Sequence, residues 1–191
     1  MRKKEKREVK KIVGLVLRYF LTIFFGFFIP LFYAIFGLAT RFFLKLFLKD
    51  SLIVENLLIV KNLTIEIIPA CIGGSAYYLL LALNLLTPMK IKKRILFIIL
   101  SFLLFFSFNL FRLLFLIFLE LKGIQTYFYH KALWYFGSTI FVFFTWFICI
   151  KIFKIKEIPV VTDFFVLKRI IQTKQLNLQP LFLPSLPSSL P

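Results

Sequence analysis

Long apolar runs separated by short charged stretches set the rhythm of this chain. Residues 1–11 (MRKKEKREVKK) form a basic, solvated start. An apolar run then extends over 12–39, interrupted only by Arg18. A long basic side chain can lay its stem on apolar surface and keep its head in water. About 20 helical residues cross a bilayer, so this run is long enough to span. Pro30 predicts a kink within it. The run over 70–88 is shorter and carries no charge, that over 95–119 carries only Arg112, and that over 132–150 carries none. The pattern predicts an all-α integral membrane protein, a bundle of about four transmembrane helices at 12–39, 70–88, 95–119 and 132–150.

Residues 40–70 break this rhythm. Arg41, Lys45, Lys49, Asp50, Glu55, Lys61 and Glu66 leave no uncharged stretch long enough to span. The stretches 57–60 and 63–68 are rich in β-formers, with Lys61-Asn62 as a short turn between them, which predicts a small extracytoplasmic hairpin or interfacial loop. Residues 41–49 read as an amphipathic helix on the membrane surface. From 158 the composition shifts again. A short interfacial helix is expected over 164–174, and the Pro- and Ser-rich end (QPLFLPSLPSSLP) reads as a flexible cytoplasmic tail. The division is therefore a basic N-terminus (1–11), a transmembrane domain (12–157) and a tail (158–191).

Composition agrees with a bilayer as solvent. Apolar residues make up 61% of the 191, Phe alone supplies 28, and only 17% are charged. Soluble domains hold nearer half apolar and a quarter charged. The net charge of +17 would suit nucleic acid if it formed a stripe. Here it falls in clusters between greasy runs, which is the pattern of anchors beside the cytoplasmic leaflet, so no nucleic-acid partner is expected. With the N-terminus inside, the cytoplasmic segments hold 17 basic residues and the outer ones 6, which predicts N-in and C-in. The sequon Asn62-Leu63-Thr64 then lies outside. Two cysteines and one histidine give neither a disulfide framework nor a multi-histidine metal site, and no metal or organic cofactor is called for.

Topology makes a chemical statement. Cys71 falls at the outer end of the second span, in Pro69-Ala70-Cys71-Ile72-Gly73-Gly74. Its thiol is expected at a loop-to-helix junction, where a helix N-terminus favours thiolate. Gly73 and Gly74 would let a substrate backbone approach closely. Arg112 lies 18 residues beyond Arg94, roughly 27 Å up the third helix at 1.5 Å per residue. A guanidinium within a membrane segment costs at least about 2.5 kcal/mol on insertion scales, so it needs a partner, a cavity or a job; the bland reading is snorkelling to the interface. Asn109, one turn earlier, can brace it or meet a substrate. His130 falls just before the outer end of the fourth span, where the bland reading is an interfacial polar residue. At the depth of Cys71 it can act instead as general base and then general acid. Cysteine with histidine is the pairing that makes a thiol nucleophilic near neutral pH. Cys149, a bilayer away, reads as packing, and Tyr127, Tyr129 and Trp134 as an interfacial belt.

The runs Pro69-Ala70-Cys71-Ile72-Gly73-Gly74, Asn109-Leu110-Phe111-Arg112 and Tyr129-His130 together resemble the exosortase/archaeosortase family. The resemblance covers about residues 50–152 and implies a multi-pass membrane cysteine transpeptidase with catalytic Cys71, Arg112 and His130. Family substrates are surface proteins with a C-terminal signal of a short motif, a transmembrane helix and a basic cluster. The implied reaction cleaves that signal, for hydrolysis or for transfer to a lipid or other amine. The family commonly has Thr or Ser directly after the cysteine; here that position is Ile72, and Ser75 is the nearby hydroxyl. Asn109, Gly73, Gly74 and Ser75 are the expected substrate-binding residues. The competing reading is a non-enzymatic membrane scaffold or a secretion or transport assembly subunit, with Cys71 inert and Arg112 serving helix packing. A transporter fits less well, because polar groups near the midplane are almost lacking.

Overall fold

The computed structural model describes residues 3–133, 138–155, 163–165, 167–169 and 172. Its elements in chain order are α1 (Lys3–Gly26), α2 (Ile29–Phe47), β1 (Ser51–Val54), β2 (Leu57–Val60), β3 (Leu63–Glu66), α3 (Pro69–Ile72), α4 (Gly74–Leu86), α5 (Ile91–Leu121), α6 (Tyr127–Ala132) and α7 (Ser138–Phe153). The fold is mostly helical. Two helices, Ile29–Phe47 and Ile91–Leu121, are long and apolar enough to cross a membrane; Gly74–Leu86 and Thr139–Phe153 are shorter apolar helices. The expected interfacial helix over 164–174 and the tail fall largely outside the described residues, as does Trp134.

Helix α4 is the hub, packed against α1, α2, α5 and α7. Most of its residues are buried, among them Ala76, Tyr77, Leu80, Leu81 and Asn84. In its first turn Tyr77 stacks flat on Phe36, with ring centroids 3.5 Å apart, and meets Phe102 and Phe105 edge-on. The two edge-on contacts add roughly 0.5–1.5 kcal/mol per pair beyond their area; the face-to-face contact with Phe36 contributes mainly by the area it buries. This explains part of the chain's dependence on aromatics.

The run expected as one helix over 12–39 is divided at Phe27–Phe28, and α2 continues to Phe47. Proline has no N–H to donate and suits a helix start, and Pro30 lies in the first turn of α2. The expected surface helix over 41–49 is the last part of α2, apart from its final residues. Its buried stripe of Gly37, Thr40 and Leu44 runs on past Arg41, so the charges decorate a packed helix without ending it. The run expected over 70–88 is also divided, because Gly73 stands at φ 71°, in the left-handed region that glycine adopts without a Cβ penalty. Helix α5 begins before the run expected over 95–119 and ends after it. It stops at Gly123, also left-handed (φ 73°), where the Gly123 amide donates to Glu120 O and the Ile124 amide to Leu119 O.

The hairpin expected within 57–68 is part of a three-stranded antiparallel sheet in the order β1-β2-β3. Leu58 pairs with Ile53 on one side and Ile65 on the other. One face, led by Leu58 and Val60, packs with Leu44, Leu113 and Ile117 in the cluster that also holds Cys71 and Ile72. The sheet is therefore a cap fixed to the same end of the bundle as the cysteine.

Candidate active site

Cys71 occupies the single turn of α3, held between extended backbone at Ile68 and the break at Gly73. Its amide donates to Ile68 O at 2.8 Å, and the Gly73 amide to Pro69 O at 3.1 Å. Cys71 stands at a loop-to-helix junction, as expected, but the helix it opens is only the four-residue α3, and α4 begins after Gly73. A four-residue turn has little dipole to favour thiolate. Any activation of this thiol must come from its neighbours.

Two side chains of α5 fix α3 in place. Asn109 Nδ2 donates to Cys71 O at 2.8 Å and to Ile72 O at 3.3 Å. Arg112 Nη2 donates to Ala70 O at 3.3 Å, and Nη1 reaches Leu133 O at 3.5 Å. Both side chains are buried, Asn109 at 3% exposure and Arg112 at 5%. Asn109 thus holds the cysteine's own backbone, where the sequence suggested a brace on Arg112. Arg112 joins α3 to the end of α6 and does not snorkel. Its Nε is buried without a partner.

His130 comes from α6, whose first turn is set by its own amide donating to Thr126 O at 2.7 Å. The Thr126 hydroxyl donates to the Glu120 carboxylate, tying the loop back to α5. Nε2 of His130 stands 3.9 Å from the Cys71 sulfur, within hydrogen-bonding range for a thiol. Burial, and then the positive charge of Arg112, hold the imidazole below its ordinary pKa of 6.5. It is therefore neutral at physiological pH, which is the form that can accept a proton.

Compared with known protein families, with curated proteins and with solved structures, the chain matches none.

A cleft of about 420 Å³ reaches α3 at Ala70, but Cys71, Arg112 and His130 are not among its lining residues. It is lined by Tyr33 from α2, Ala70 from α3, Gly73, Ser75 and Leu79 around the start of α4, and Thr139 from α7, among others. Ser75 is exposed and accepts a 3.4 Å hydrogen bond from the Tyr33 hydroxyl. Gly73 also lines the cleft, so both remain suited to contact a substrate. Gly74 does not: it is buried under the Tyr33 ring, and a Cβ there would stand 2.6 Å from that ring. The close approach expected from a substrate backbone at Gly74 is made by the chain's own tyrosine. Tyr33 and Thr139 carried no sequence signal as cleft residues, because their place depends on how α2 and α7 pack. Cys149 is buried in α7, consistent with a packing role. Among the described residues no group of three or more His, Cys, Asp or Glu side chains is placed to hold a metal ion.

Proposed function

We propose that this chain is a multi-pass membrane cysteine peptidase or transpeptidase that cleaves C-terminal sorting signals of surface proteins, as its resemblance to the exosortase/archaeosortase family implies. The observation that carries the reading is the 3.9 Å contact between Cys71 Sγ and His130 Nε2, reached from sequence positions 59 apart. In this reading the chain crosses the plasma membrane four times, N-in and C-in, with the thiol on the extracytoplasmic side. The helices α1 and α2 together form the first crossing, α3 and α4 the second, α5 the third and α7 the fourth.

His130 accepts the thiol proton as Cys71 Sγ attacks the scissile carbonyl. The carbonyl oxygen gains negative charge, which the guanidinium of Arg112 stabilises. The C–N bond then breaks, and His130 returns its proton to the departing amine. The thioester is opened by water or by an amine acceptor, whose proton passes to His130 while the thiol is restored. The cleft between Tyr33, Ser75 and Thr139, which reaches α3 at Ala70, receives the substrate segment. Neither a metal ion nor an organic cofactor is needed for any of these steps.

The test is cleavage of a co-expressed surface protein bearing such a signal. Cys71→Ala and His130→Ala are each expected to abolish processing at unchanged protein level. Normal processing in the double variant removes the enzyme reading. Labelling of Cys71 by an impermeant maleimide, in a Cys149→Ala background on oriented vesicles, tests the orientation. Labelling only from the cytoplasmic side rejects it.

One observation favours the scaffold reading. Asn109 and Arg112 both spend hydrogen bonds on backbone carbonyls of α3, as purely structural residues would. That reading expects Arg112→Gln to lower stability while Cys71→Ala changes nothing.

A further inference from the structure

At the opposite end of α4 lies a second cavity, of about 560 Å³. Its lining includes four cations, Lys10, Lys11, Arg18 and Arg94, and one acid, Asp163, together with apolar Leu15, Leu17, Pro88 and Met89. Asp163 neutralises one of the cations, since its Oδ1 accepts from Arg18 Nη2 at 2.8 Å. Arg18 also donates to Gly14 O and Leu86 O, so its charge and geometry are committed to the fold. Arg94 donates from Nη2 to Thr87 O at 3.1 Å, but its Nε is buried without a partner. Asp163 is 4% exposed, and its Oδ2 is also buried without a partner. Net positive charge therefore shares a cavity with an apolar wall, and two of the lining residues, Arg94 and Asp163, each keep one polar atom buried behind that wall without a partner. Buried polar groups are ordinarily satisfied, so two orphans on residues of one lining point to an occupant that side-chain rotation would let them meet.

We propose that this cavity binds a phospholipid headgroup of the leaflet that borders the 90–94 loop. Lys10, Lys11 and Arg94 hold the phosphate by charge-assisted hydrogen bonds. A headgroup hydroxyl or ammonium donates to Asp163 Oδ2. The glycerol end lies on Leu15, Leu17, Pro88 and Met89. Free phosphate would meet the cations and leave both the apolar wall and the acid unused. The site is separate from the cysteine chemistry and does not depend on it.

The test is native mass spectrometry of the full-length protein in detergent, with added phosphatidylglycerol, phosphatidylethanolamine or phosphatidylcholine. The first two offer a headgroup donor and the third does not. Both donor lipids are expected to be retained well above phosphatidylcholine. Lys10→Gln/Lys11→Gln is expected to weaken phosphatidylglycerol retention about 25-fold, from roughly fivefold per basic residue facing an anionic lipid. Lys151→Gln/Lys154→Gln removes the same charge outside the cavity and is expected to change retention less than twofold. Equal loss in the two pairs means diffuse surface attraction and overturns the proposal. So does equal retention of phosphatidylcholine, or displacement of bound lipid by millimolar inorganic phosphate.

Discussion

Two arginines, Arg18 half-buried and Arg112 buried, mark the two ends of α4, and they are held in different ways. Arg18 meets a carboxylate, Asp163, at 2.8 Å and two backbone carbonyls besides. Arg112 meets only the carbonyls of Ala70 and Leu133 among the described residues, and its Nε has no partner. A guanidinium paired with an acid has its field largely cancelled, and what remains is a brace. One held by carbonyls alone keeps its charge, and here that charge lies beside a thiol and lowers the proton affinity of an imidazole. Burying an uncompensated charge is costly, and sites that do so are more often functional than ornamental.

The sharpest way to break this comparison is to neutralise each arginine in turn. On the proposed peptidase reading, Arg112→Gln is expected to lower signal cleavage by about 100-fold or more, the usual loss when one oxyanion donor is removed. Cleavage per folded molecule in Arg18→Gln is expected to stay within a few-fold of the native chain. Its cost appears instead in unfolding, at about 1–3 kcal/mol, because Asp163 is left buried without its cation, while solvent reaching the partly exposed Arg18 keeps the loss below that of a fully buried pair. Arg18→Gln/Asp163→Asn should recover part of that loss. Cleavage assays and thermal unfolding on the same preparations check both halves. Equal catalytic loss from the two arginines would show that Arg112 is another brace.

Gly73 and Gly74 offer a comparison within two residues. Gly74→Ala pushes a methyl into the Tyr33 ring at a separation no Cβ normally adopts, and is expected to cost about 1–3 kcal/mol by overpacking. Tyr33→Ala should remove that penalty while reshaping the cleft. Gly73→Ala has room, with Phe105 at 3.5 Å, but must hold φ 71°. Its expected cost is about 1 kcal/mol, with no rescue from Tyr33→Ala. The two costs, read by denaturant unfolding, separate a packing glycine from a conformational one.

The legibility of these residues in the sequence varied with what fixed them. Cys71 and His130 were readable as a pair because the topology expected from charge asymmetry put both at the outer ends of their spans, and the structure brings their reactive atoms to 3.9 Å. The turn at Lys61-Asn62 was readable because strand formers flank it. Strand β1 was not: four residues between Asp50 and Glu55 read as more of the charged segment. Asn109 pointed to Arg112 by helical spacing, yet its amide turns to α3, a choice made by helix packing. The burial of Gly74 depends on Tyr33, 41 positions earlier, and the partner of Arg18 is 145 positions away. No local pattern carries either fact. Periodicity also overran its limits at Phe27–Phe28 and Gly73, where one apolar run became two helices because the backbone, not the side chains, decided.

The finest distinction between the arginines is in what the imidazole feels, and the chain's single histidine makes it measurable. The ring of His130 can be titrated by NMR in the full-length protein without assignment ambiguity. Its midpoint is expected below 6.5, through burial first and the Arg112 charge second. Arg112→Gln removes the second cause, so the midpoint should rise toward 6.5 while burial keeps it from getting there. Arg18→Gln should leave it unmoved. The sign extends to function and stability. Above 6.5 the imidazole is neutral in both folded and unfolded chains, and the thiol has its base. As pH falls below 6.5 the unfolded chain takes up the proton first, so the folded state loses stability until the folded midpoint is passed. Cleavage should therefore persist to more acid pH than an ordinary histidine would allow, and Arg112→Gln should move that acid limb upward. A midpoint that ignores Arg112 would mean that its charge does not reach the thiol–imidazole pair, and the contrast between the two arginines would lose its electrostatic basis.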